Sequence, residues 1–92
     1  MLVTVEFLGL ARRLAGQNEV RLDIHDKATL RDVVAALGKL YPTMLHQVIA
    51  PETCDLISPY FFNVGGRLPA TSLETPADQR EPLILMCLEA GG

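Results

Sequence analysis

An α+β sheet carrying one principal helix is the fold class that this 92-residue sequence predicts, on three observations. Val3, Val5 and Phe7 alternate with Thr4 and Glu6, and Val20, Leu22 and Ile24 alternate with Arg21 and Asp23, as in strands with one buried face. Leu30, Val33, Val34, Leu37 and Leu40 recur instead with helical spacing, making one apolar face. Near the end, Leu83-Ile84-Leu85-Met86-Cys87-Leu88 is an unbroken apolar run, which predicts a strand buried on both faces.

Taken in order, Leu2 to Leu8 is the first predicted strand. Leu10-Ala11-Arg12-Arg13-Leu14-Ala15 then offers about one helical turn, and Gly16 can end it by adopting positive φ. Asn18 to Ile24 returns as a second strand, a hairpin partner reached by a longer connection than a tight turn. The principal helix starts at Thr29 or Leu30: Thr29 supplies an N-cap, and Asp32 carries negative charge into the electropositive first turn. It runs to Leu40 and stops at Tyr41-Pro42, because a residue before proline is pushed out of the helical region. In 43–59, Met44, Leu45, Val48 and Ile49 suggest a further short helix, whereas Pro51, Glu52, Thr53 and Asp55 suggest a loop.

Tyr60 to Val64 reads as a strand, Gly65-Gly66 as a two-residue turn into Arg67-Leu68, and 75–82 as a polar loop. The final apolar strand belongs in the sheet centre, parallel to the first. That order of elements is a β-grasp: a mixed sheet with one principal helix packed on one face. Residues 1–92 therefore read as one domain, from which 89–92 project as a C-terminal tail.

Composition narrows the function. A net charge of −3, with no basic patch, argues against nucleic acid or an anionic membrane as the main partner. No signal-peptide pattern and no run of about 18 apolar residues is present, so the expected location is cytoplasmic. Cys54 and Cys87 do not make a disulfide framework, and His25 and His46 lack metal-ligand spacing with them, so no metal site is expected. Gly65-Gly66 lacks the lysine and following helix of a phosphate-binding loop. Arg12, Arg13, Asp23, Asp26, Asp32 and Glu89 read as solvated surface, some of it available to steer a partner. Cys87 reads as a small apolar residue of its strand.

The chemistry expected of the tail is that of its carboxylate. Glu89-Ala90-Gly91-Gly92 spans at most about 14 Å, and its last two residues lack Cβ atoms, so they fit a narrow slot. An ionised carboxylate resists nucleophiles until a nucleotidyl group makes it an acyl-adenylate. The activated carbonyl can then accept sulfur, giving a thiocarboxylate, or an amine, giving an amide.

The chain resembles the ubiquitin-like sulfur carriers of the MoaD and ThiS type. The resemblance runs through Val3-Thr4-Val5-Glu6-Phe7-Leu8-Gly9, Leu14-Ala15-Gly16, Thr29-Leu30-Arg31-Asp32-Val33-Val34, Tyr41-Pro42, Phe62-Asn63-Val64 and Ala90-Gly91-Gly92. It implies that Gly92 is adenylated by a partner similar to ubiquitin-activating enzymes and converted to a thiocarboxylate, with Gly91 giving clearance. It also implies that Leu8 lies on a partner-facing sheet surface, and that a synthase large subunit or other acceptor enzyme receives the sulfur. ATP and magnesium are then used by the activating partner, none is bound here, and the chain performs no independent catalysis. Molybdopterin biosynthesis is the implied pathway. Gln79-Arg80-Glu81-Pro82 and Cys87-Leu88-Glu89 differ from the MoaD pattern, which keeps thiamin synthesis, tRNA thiolation and lysine-linked protein modification open as alternatives.

Overall fold

The structure, a computed structural model, describes residues 1–88. Its elements are β1 (Leu2–Phe7), α1 (Leu10–Ala15), β2 (Glu19–Asp23), α2 (Leu30–Leu40), a 3-10 turn (Pro42–Met44), β3 (Ile49–Ala50), β4 (Asp55–Leu56), β5 (Tyr60–Val64), β6 (Leu68–Pro69) and β7 (Leu83–Cys87). The main sheet has the order β2-β1-β7-β5-β6, and β3-β4 form a separate small sheet. β7 lies parallel to β1 and antiparallel to β5, so the last strand is central, as the sequence predicts. This is the α+β β-grasp.

Alternation decides which residues enter the core. Val3, Val5 and Phe7 of β1, Leu22 of β2, Phe62 of β5, and Leu83 and Leu85 of β7 point to one face and are buried. Leu30, Val33, Val34 and Leu37 of α2 cover them. Every early N–H of α2 finds an acceptor, which fixes where the helix begins. The Leu30 and Arg31 N–H groups donate to the Thr75 and Leu73 carbonyls, each at 2.9 Å. The Asp32 N–H donates to Thr29 Oγ1 at 3.4 Å, while the Thr29 N–H donates to Asp32 Oδ2 at 2.9 Å, closing a capping box.

Four expectations are corrected. β7 is covered on one face only: Leu83 and Leu85 are buried, but Ile84 and Met86 keep partial exposure. The described chain places one long helix on one side of the sheet, leaving no layer for the other. Leu40, expected on the apolar face, is 54% exposed at the last residue of α2. Met44 to Ile49 is not a helix. His46 adopts φ 71°, incompatible with a right-handed helix, and its N–H donates to the Ile49 carbonyl at 2.8 Å. Met44, Val48 and Ile49 are nevertheless buried, packed into the core by the turn and by the β3-β4 hairpin. The connection from β5 to β6 is three residues, Gly65 to Arg67, since Val64 pairs with Leu68. Both glycines take positive φ, 63° and 72°, and a Cβ on Gly65 would collide with the Glu81 carboxylate.

Candidate functional site

The uncovered face of the sheet is the principal surface feature. The registers align one row of outward side chains across all five strands: Glu19 opposite Glu6, Glu6 beside Ile84, Ile84 opposite Asn63, and Asn63 opposite Pro69. Toward the C-terminal end of β7, Met86 stands opposite Phe61. The Leu8 N–H donates to the Leu85 carbonyl at 3.1 Å, which carries the β1-β7 ladder one step further and sets Leu8 beside Met86. Leu8 is 46% exposed, and Leu88, immediately after β7, is 73% exposed. Leu8, Phe61, Ile84 and Met86 thus form a largely apolar patch at the end of the sheet where β7 leads into residues 89–92.

Leu8 therefore lies on the outward face of the sheet. Gly91, Gly92 and the rest of the 89–92 tail lie outside the described residues. Ile84, Met86 and Phe61 were not singled out by sequence reasoning, because a continuous apolar run hides which alternate residues turn outward. The available signal was Glu6: a charge in β1 directly beside β7 marks that face as the open one.

Polar contacts organise the scaffold behind the patch. Arg31 donates through Nε to Glu74 at 2.7 Å and through Nη1 to Asp55 at 2.6 Å and the Thr53 carbonyl at 2.7 Å. It thereby ties the β3-β4 hairpin and the segment between β6 and β7 to α2. The Arg31 bond holds the Asp55 carboxyl below its usual range, and its bonds to Asp55 and Glu74 raise the guanidinium further. The Thr29 backbone bond lowers the Asp32 carboxyl, with His25 Nε2 3.5 Å away as a lesser contributor. Tyr41 packs edge-on against Phe7, ring centroids 5.5 Å apart, and donates its hydroxyl to Gln17; burial pushes its phenol up. Asn63 Oδ1 is sequestered without a hydrogen-bond partner among the described residues.

Among the described residues, neither cysteine forms a hydrogen bond or ion pair with an acid or base. Cys54 is half-buried at φ 56° and lines an apolar cleft of about 240 Å³ with Val34, Gly38, Leu45 and Ile49, where the charged lining residue is Lys39. Cys87 is half-buried at the end of β7. Among the described residues, no group of three or more His, Cys, Asp and Glu side chains is placed to hold a metal ion, and no helix is long and apolar enough to cross a membrane.

Comparisons with known proteins agree with this geometry at the level of fold. No protein-family profile matches the chain, and no curated protein matches it by sequence. Solved structures do match. The crystal structure of SAMP1 from Haloferax volcanii superposes with a TM-score of 0.84 over 100% of both chains, at 22% identity. A second structure, of the H. volcanii small archaeal modifier protein 1, gives 0.77 over 91% of this chain and 93% of that one, at 21% identity. A Pyrococcus furiosus protein provisionally named molybdopterin converting factor, subunit 1, gives 0.75 over 95% and 97%, at 18% identity. At these identities the likeness establishes the shared fold, a ubiquitin-like β-grasp.

Proposed function

We propose that the chain is a one-domain sulfur-carrier protein whose Gly92 carboxylate is activated as an acyl-adenylate and converted to a thiocarboxylate. The observation that carries the reading is the direction of β7. The central strand, held between β1 and β5, ends at Cys87 beside the open apolar patch, and Gly91-Gly92 follow in the sequence. The patch at the end of that strand gives an activating enzyme something to grip. The named neighbours, a modifier protein and a molybdopterin converting factor, are compatible with such a tail.

In the activation step the carboxylate oxygen attacks the α-phosphorus of ATP, pyrophosphate leaves, and magnesium on the partner balances the phosphate charge. Hydrosulfide, or its equivalent delivered by the partner, then attacks the glycyl carbonyl, the acyl–phosphate bond breaks, and AMP leaves. This chain supplies the carboxylate, the clearance of Gly91 and the docking face that includes Leu8; the adenylyltransferase supplies the catalysis. A synthase large subunit or another acceptor enzyme takes the sulfur, with molybdopterin synthesis as the leading use and a cytoplasmic setting. The modifier neighbours favour one second reading, in which a target lysine displaces AMP and Gly92 becomes amide-linked.

Mass spectrometry of the C-terminal peptide from native cells tests both. Replacement of one oxygen by sulfur at Gly92 supports the carrier, and a lysine linkage supports the modifier. A free carboxylate throughout a freshly recovered pool rejects both.

A further inference from the structure

The acidic end of the outward row has no ion-pair partner among the described residues. Glu6 and Glu19 stand directly opposite each other on β1 and β2, on the same face, and neither forms an ion pair among the described residues. Arg21, two residues along β2 on that face, stands opposite Thr4 and pairs with neither glutamate. Other acids of this chain are engaged: Asp55 and Glu74 by Arg31, Glu81 by Arg67, and Asp78 by Arg80. Like charges directly opposite in an antiparallel pair repel, so this juxtaposition weakens the free sheet. It is also continuous with the apolar patch, since Glu6 is the register neighbour of Ile84.

We propose that Glu6 and Glu19 form the charge-reading edge of the docking face, and that the activating enzyme places a lysine or arginine against them while an apolar surface covers Leu8, Ile84 and Met86. The inference rests on the carrier reading and adds the chemistry of recognition. Charge complementarity selects this occupant. A cation between the two carboxylates removes their repulsion on binding, and at the rim of an apolar contact it speeds encounter and fixes orientation.

The test measures association of the full chain with the adenylyltransferase purified from the same cells, at low and moderate salt, for the unaltered chain, Glu6→Gln/Glu19→Gln and Glu6→Lys/Glu19→Lys. The lysine pair should slow association by about tenfold or more and reverse its salt dependence, with the glutamine pair intermediate. The glutamine pair should also melt at a higher temperature than the unaltered chain, which shows that lost binding is not lost folding. Equal association of all three chains overturns the charge-reading edge and leaves the carrier reading standing. Failure of the unaltered chain to bind or become adenylated removes the carrier reading, and the proposal with it.

Discussion

The two faces of the same five strands obey different rules. On the inner face, Val3, Val5, Phe7, Phe62 and Leu85 are at most 1% exposed and packed under α2. On the outer face, one residue away at each step, stand Thr4, Glu6, Phe61 and Met86, left half open. Large aliphatic and aromatic side chains occur on both, so hydrophobicity alone does not distinguish core from surface. Coverage does: one helix can seal one face, and the apolar residues of the other are left uncovered by the described residues.

Truncation at adjacent positions breaks this comparison most sharply. Leu85→Ala should cost about 2–5 kcal/mol in denaturant unfolding, because the buried site loses transfer energy and retains a cavity. Met86→Ala, the next residue, should cost about 1 kcal/mol or less while weakening association with the adenylyltransferase. Equal destabilisation by the two would mean that the outer face is not open. Thr29→Ala comes next: loss of the cap should cost about 1 kcal/mol by thermal melting, leaving docking unchanged because α2 lies behind the sheet.

Smaller effects separate electrostatics from packing. Arg31→Ala should lower the melting temperature at low salt, and the difference should shrink as salt rises, since its ion pairs are partly exposed. The pH profile has two limits. Asp32, Asp55 and Asp78 have folded-state pKa values below their unfolded ones. Their contribution is complete above the ordinary carboxylate range, roughly pH 4, and is lost as pH falls through the folded values. Tyr41 is shifted upward by burial, so its contribution is complete below the ordinary phenol range, roughly pH 10, and is lost as pH rises through the folded value. Melting temperatures across pH should therefore fall at both ends, and Tyr41→Phe should flatten the alkaline limb.

Much of the scaffold was legible locally. The Thr29 cap, the Tyr41-Pro42 stop, the left-handed Gly16 and the alternation of β1 each express a constraint within a few residues. The 43–59 stretch was not legible, because Met44, Val48 and Ile49 have helix-like spacing while their burial comes from a turn and a two-residue strand. Nothing local reveals the left-handed His46 that breaks the helix. Of the outward patch only Leu8 was singled out from the sequence, whereas Phe61, Ile84, Met86 and the Glu6–Glu19 juxtaposition emerge from strand register.

The sequence by itself determined β1, β2, β5, α2 and the apolar central strand β7, because periodicity, caps and turn residues act over short spans. Only the tertiary structure decided that β7 has one sealed and one open face, that Leu8 meets Met86, and that two glutamates thirteen residues apart confront each other. Those outcomes depend on register and on how many layers the chain can build. Pairing between distant strands sets both.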